Sequence, residues 1–420
     1  MLPGLVAGQP DKSLLYNLII PHGDKAPEMP KQRDPLPAAD QALIKRWIAE
    51  GAKDDSPSIA KDPINSDNPP VYRLPPVVTA VDYSPDGALI AVSGYHEVLL
   101  HKSDGSGIVA RLVGISERVQ SLAFSPDGKF LAVSGGSPGR FGEIQIWDVA
   151  KKKLRNSAAF TADTLYGVSW SPDGKLVAFG GADNNLRAMD AETGKQVLFQ
   201  GAHSDWVLGT MFGRDGKFLL SISRDRTMKL TEVSTQRFID NVTSITPGVL
   251  KGGLTALAVR PYPKGKDKKV KASSIAVSST EEKLYEEIVI GGADGQPKLY
   301  KMHRETKRVI GDDANKVREF ATLPGRIYAI AFRADGLVFA VGSSLDGKGE
   351  VRLFQTEDGK ELAKIEAGLS GIYTIAFKPD SKEMAISGFD GMVRIYDPAT
   401  GKPIRQFMSV PMSTSPVAAR

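Results

Sequence analysis

The sequence predicts an all-β fold, a seven-bladed β-propeller preceded by a small α-helical segment, and two observations carry that expectation. The first is a strand-turn-strand phrase that recurs at Ser84, Ser125, Ser171, Gly213, Arg333 and Lys378, with a degenerate copy at Arg260 where Pro261 keeps the turn. Successive copies lie 41, 46, 42, 47, 73 and 45 residues apart. A period in the forties marks a repeat array whose units cannot bury their faces alone. The second is an asymmetry in the strand leading into each turn. Tyr83, Phe124, Trp170, Phe212, Val259, Phe332 and Phe377 share one register, with Val81, Leu122, Val168, Thr210, Leu257, Ile330 and Ile375 two residues earlier. Three residues before the first set stand Ala80, Ser121, Gly167, Gly209, Ala256, Ala329 and Thr374. Alternate residues of a strand point to opposite faces, so each sheet has a bulky face and a small one. Sheets packed radially about an axis need that pairing, and the array must close.

Residues 1–55 stand outside the repeat. Asp11 is placed to cap a short helix striped by Leu14, Leu15, Leu18 and Ile19. Pro37 can start a second, with Leu43, Ile44, Trp47 and Ile48 facing inward and Gly51 stopping it. A Pro-rich loop holding Glu28-Met29-Pro30 lies between them. This order of segments resembles the C-terminal half of a planctomycete-type cytochrome c domain. In that family an upstream Cys-x-x-Cys-His segment binds haem covalently and the methionine of a Met-Pro loop is the distal ligand, so the resemblance implies Met29 as a would-be haem ligand. Cys-x-x-Cys-His is absent here, and with it the thioether links and the proximal histidine. No cofactor is expected in this chain. A haem c electron-transfer protein, with the propeller as docking platform, is the alternative for an N-terminally longer form.

Residues 56–76, rich in Pro, Asp, Ser and Asn, read as a linker. Its end, Val71 to Leu74, could supply an outer strand to the last blade; Pro403 to Met408 competes for that place. The propeller is expected over 77–408. Within each repeat, Pro fixes φ and Gly tolerates positive φ, so Pro-Asp-Gly is a tight strand-to-strand turn. Trp147-Asp148 ends a third strand, with weaker counterparts at Tyr396-Asp397 and Met189-Asp190. These residues, with Gly201-Ala202-His203 and the Asp225 of Ser223-Arg224-Asp225-Arg226-Thr227, resemble the WD40-repeat family. The resemblance implies that a buried His203 braces its blade by bonding Asp225, with Trp147 in a structural role too. It implies little about activity, because propellers host many functions.

Gly135-x-Ser137-x-Gly139 matches a nucleophile-elbow pattern, but strands flank it where an elbow needs a helix. The fifth repeat is swollen by a basic run, Lys264 to Lys271, followed by Glu281, Glu282, Glu286 and Glu287, read as a solvated loop. A contact for an anionic partner is the sharper reading. Residues 409–420 lack periodicity and are expected to be disordered.

With 54 Lys and Arg against 49 Asp and Glu, the net charge of +5 is too mild to argue for nucleic acid. No apolar run is long enough to span a bilayer, and no signal-like segment opens the chain. A cytoplasmic monomer is expected if the chain is complete, an exported protein if an upstream signal and cytochrome half precede it. The absence of cysteine excludes disulfides and thiolate metal sites. His22, His96, His101, His203 and His303 are scattered without metal-ligand spacing, and Asp312-Asp313 reads as loop charge.

The better-motivated site is a surface. Loops on one side of the ring gather Asp183, Asn184, Arg224, Arg226, Asp294 and Asp390 with Arg118, Trp206 and Arg326. Tyr166, Tyr328 and Tyr373 share a register near the start of their inner strands and should ring the channel mouth. Aromatic and arginine anchors are enriched where proteins bind proteins; the plainer possibility is that the tyrosines only pack between blades and the aspartates only tighten turns. The expectation is a non-enzymatic scaffold for a protein or peptide. A propeller hydrolase or lyase using Asp183, Asp294 and Asp390 is a further alternative.

Overall fold

The computed structural model describes residues 4–31, 34–53, 64–201, 203–246, 249–262, 269–271, 282–366, 368 and 370–413. They fall into two compact units, Met1–Pro63 and Ile64–Arg420.

The first unit is helical. A 3-10 turn, Pro10–Lys12, leads into helix Leu14–Ile19, and helix Ala38–Ala49 follows the Pro-rich loop. Asp11 is not the cap: it lies inside the turn, and Ser13 occupies the N-cap position. The second helix stops as expected of a glycine at positive φ, with Gly51 at +102° and the Ala52 amide reaching back to the Trp47 carbonyl at 2.9 Å. Tyr16, Ile19 and Ile48 form the core, with Ile44 and Trp47 packed against it. Leu15 and Leu43, expected to face inward, are exposed instead, because two short helices enclose only one narrow stripe.

The second unit is built of antiparallel strands: one seven-stranded sheet, five four-stranded sheets and a two-stranded hairpin. The seven-stranded sheet divides at its long strand Ile108–Phe124, whose first half pairs with Tyr95–Lys102 and whose second half pairs with Phe130–Ser137. Each half thus belongs to its own four-stranded meander.

Neighbouring sheets meet face to face through side chains. Ala80 and Ala91 of the first meander pack on Leu122 and Phe124 of the second. Ala132 packs on Val168 and Trp170, and Ala329 and Ala340 pack on Ile375. The same bulky-against-small pairing joins the last sheet to the first, where Ala376 and Ala385 lie against Val81 and Tyr83. Gly167 shows how close the inner strands come: a Cβ there would sit 2.4 Å from the Gly209 Cα. The turns repeat one geometry. Gly87, Gly128, Gly174 and Gly216 have φ near +70°, each amide bonding back three residues.

Several expectations need correction. Pro403–Met408, not Val71 to Leu74, is the outer strand of the last sheet. The segment around Val71 is bracketed by Pro69, Pro70, Pro75 and Pro76, which cannot donate to a ladder. Nor are residues 64–76 a loose linker, because Tyr72 is buried and bonds the first sheet. Residues 409–413 are ordered: Val410 is buried and the Ser413 amide donates to the Tyr72 carbonyl at 2.8 Å. Glu286 and Glu287 are not loop charges but buried acids paired with Arg214 and Arg260. The basic run from Lys264 to Lys268, Glu281 and residues 414–420 lie outside the described residues.

Candidate functional site

Six of the inner strands begin with an irregularity. In four of them the ladder skips one residue, Gln120, Leu208, Tyr328 or Tyr373, and Thr255 is skipped in a fifth. A bulge leaves one residue unpaired and re-aims its side chain. With Thr79 and Tyr166 at the same register, these residues line a single cavity of about 640 Å³. Trp206, Arg224, Arg326 and Asp205 complete its wall.

The rings are packed against one another. Tyr166 stacks on Trp206 with centroids 5.8 Å apart and planes 19° from parallel. Tyr328 meets Tyr373 edge to face at 5.2 Å. The Arg224 guanidinium lies 4.7 Å over the Trp206 ring and Arg326 lies 6.0 Å over Tyr328. Burial raises the Tyr166 phenol above its usual range, Asp163 adds to this, and Arg118 and Arg224 oppose it. Burial likewise raises Tyr373, with Tyr328 adding to it.

The structure therefore brings together Tyr166, Tyr328, Tyr373, Trp206, Arg224 and Arg326. Arg118 is exposed on the wall of an adjoining cavity. Arg226 is elsewhere, at the tip of a turn with φ +72°. Gln120, Leu208 and Thr255 belong to the same set and were missed because only aromatic members of the register were singled out.

His203 is buried, its Nδ1 2.9 Å from Asp225 and its Nε2 2.8 Å from the Ser221 hydroxyl. Asp225 also accepts the Ser204 amide at 3.0 Å and the Thr227 hydroxyl at 2.7 Å. Trp147 does not join this group: it lies in another sheet, where its Nε1 donates to Gln145 and Gln145 donates to buried Glu143. Ala202 lies outside the described residues.

The hydrolase alternative finds no free acid among its candidates. Asp183, Asp294 and Asp390 are paired with Arg187, Lys298 and Arg394 at 2.5, 2.5 and 2.6 Å. These basic partners stand two residues before the Trp-Asp position, and Gln145 and Arg352 hold the same place beside Glu143 and Glu350. A polar residue inside an otherwise apolar third strand was a sequence signal for this buried pairing. Ser137 sits on an antiparallel strand pair, as its flanks implied. Among the described residues, no cluster of three or more His, Asp or Glu is gathered to hold a metal.

The first unit does not suit haem. Met29 is partly exposed, and the Nε2 of His22 is engaged with the Asn17 carbonyl at 2.8 Å. A thioether and an already-bonded imidazole, in a chain without cysteine, are not the donor set of covalently attached haem. No helix among the described residues is long and apolar enough to cross a membrane.

Comparison with known proteins bears on the second unit. The family described as "Anaphase-promoting complex subunit 4 WD40 domain" matches residues 81–165, and "WD domain, G-beta repeat" matches 154–188 and 359–397. A subunit of chromatin assembly factor 1 from Saccharomyces cerevisiae is 33% identical over 20% of this chain and 18% of its own length. The subunit of the same name from Gallus gallus is 25% identical over 40% of this chain and 25% of its own. Apoptotic protease-activating factor 1 of Rattus norvegicus is 29% identical over 63% of this chain and 19% of its own. The chain thus spans a quarter or less of each of these three relatives. It carries WD40 repeats; the matches to the family descriptions begin at residue 81, beyond the helical unit.

Proposed function

We propose that the second unit is a closed seven-bladed propeller acting as a non-enzymatic interaction scaffold, and that it captures a protein or peptide segment at the tyrosine-lined cavity. One observation carries this: all seven repeats send the residue at one common register, in the inner strand or just before it, into the same cavity. An open stack would spread those positions along its length. The rim adds exposed arginines and a half-open tryptophan, the residue types that anchor protein contacts. The lining holds aromatic rings and hydroxyls, and among the described residues its one carboxylate, Asp205, lies 3.5 Å from Arg224. A ring already packed on its neighbour offers a rigid face, which binds at low entropic cost.

The test is substitution of Tyr166, Tyr328 or Tyr373 by Ala. The phenols stand at the cavity wall outside the apolar clusters, so each variant should fold and melt with the parent chain. Capture from a displayed library of random peptides should fall about tenfold, as loss of an aromatic anchor does. Capture equal to the parent in all three overturns the reading.

A further inference from the structure

The mouth cavity does not end at the inner strands. Thr79 and Gln120 line both it and a second cavity of about 780 Å³, which opens between the strap of residues 64–79 and the edge of the first two meanders. The two halves of this joined groove differ in chemistry. The strap half presents an apolar row: Val71 and Leu74 are 74% and 79% exposed, and Val77 stands beside them, with the exposed Arg73 among them. Patches of this kind mark contact sites in soluble proteins. Basic groups gather at the mouth and at its border with the strap: Arg224 and Arg326 line the mouth, and Arg118 lines the strap cavity two residues from the shared Gln120. All three are exposed, and among the described residues neither Arg118 nor Arg326 has a carboxylate partner. Glu117, next to Arg118, is turned to Arg140 at 3.3 Å.

We infer, resting on the reading of the mouth as a capture site, that the occupant is an extended peptide segment in two parts: a run of acidic residues over the arginines and apolar residues along the strap. Charge complementarity selects the first part, since uncompensated arginines attract and orient carboxylates. The second part follows from continuity, because a chain leaving the mouth past Thr79 and Gln120 enters the strap half directly. The arrangement disfavours single-stranded nucleic acid. The rings are committed to one another in pairs instead of splayed as stacking platforms.

The probe is a fluorescein-labelled peptide of consecutive glutamates followed by leucines and prolines, titrated with the full chain and read by anisotropy. Binding should weaken at least about tenfold when lysines replace the glutamates, when glycine and serine replace the apolar block, or when Arg118→Glu and Arg326→Glu are combined. It should also fall steeply as salt rises, because exposed charges are screened beyond about 10 Å at 0.1 M. Both arginines are exposed, so the double variant should keep its circular dichroism; Arg118→Gln with Arg326→Gln should give an intermediate loss. Equal binding of the lysine peptide, indifference to the charge reversal, or tighter binding of a labelled uridine oligomer overturns the inference. The scaffold reading is separated by the displayed library: neutral or basic peptides that are enriched and then lost on Tyr373→Ala leave that reading standing while this inference falls. A library with no enrichment overturns both.

Discussion

Asp82 occupies an inner-strand position where the other repeats place Ala123, Ser169, Met211, Ala258, Ala331 and Ala376. Its Oδ2 accepts the Phe124 amide of the next meander at 2.8 Å. Burial pushes its carboxyl up to about 7, and the hydrogen bonds from backbone amides pull it back only in part. A carboxyl whose native pKa is raised holds its proton in the folded state after the unfolded chain has lost it. Stability should therefore fall as pH climbs from near the ordinary carboxylate value of about 3.9 to about 7. The side chain is half-buried, so solvent softens the effect. Comparing Asp82→Asn with the parent by denaturant melts, the parent should lose about 1–2 kcal/mol relative to the variant between pH 5 and 8; parallel profiles would mean that Asp82 titrates normally. Asp225 runs the other way. Burial would raise it, but His203, Thr227 and the Ser204 amide hold it well below the usual range, so its contribution is present above about pH 4 and lost in stronger acid.

Strands, turns and strap differ in how openly the sequence announced them. Pro-Asp-Gly and the bulky-against-small alternation are local patterns, so the turns and the faces of each meander were readable directly. The bulges that aim Gln120, Leu208, Thr255, Tyr328 and Tyr373 into one cavity were not, because a bulge is a matter of pairing with the partner strand. The strap was misread for a related reason: prolines suggest a linker, and only the fold reveals that Tyr72 has a buried acid to meet. In the first meander Leu99 stands where other repeats place Arg, Lys or Gln, so Glu97 takes Arg111 from the facing strand at 2.6 Å and the Tyr72 hydroxyl at 2.8 Å. That hydroxyl also accepts the Tyr95 amide at 3.0 Å. Tyr72→Phe should cost about 1–2 kcal/mol, the usual consequence of leaving buried partners unpaired. It should also speed amide exchange at Tyr95, measured by mass spectrometry; unchanged protection would show that the strap is held by packing alone.

At the scale of the molecule, the proposed wheel and a row of meanders differ in what the first and last sheets do. These two sheets are joined by an apolar cluster of the same make as the others and by the Val81 amide donating to the Thr374 hydroxyl at 3.0 Å. In a row, each unit contacts only its neighbours, so removing the last lowers stability by one increment and leaves the rest standing. In a wheel, the last sheet has two neighbours, and its loss uncovers bulky or small faces on both sides of the gap. A chain ending at residue 371 would strip Ile375, Met384 and Ile386 from one cluster and Ala376, Ala385, Val393 and Ile395 from the other. At about 1.5–3 kcal/mol per buried large side chain, the loss is as large as the 5–15 kcal/mol that holds a typical domain folded. Scanning calorimetry of that shortened chain should show no cooperative transition, and mixing it with the separate segment 372–413 should restore one. A sharp transition only a few degrees below that of the parent would mean that the sheets stand in a row, and the cavity gathered from seven repeats would have no ring to surround it.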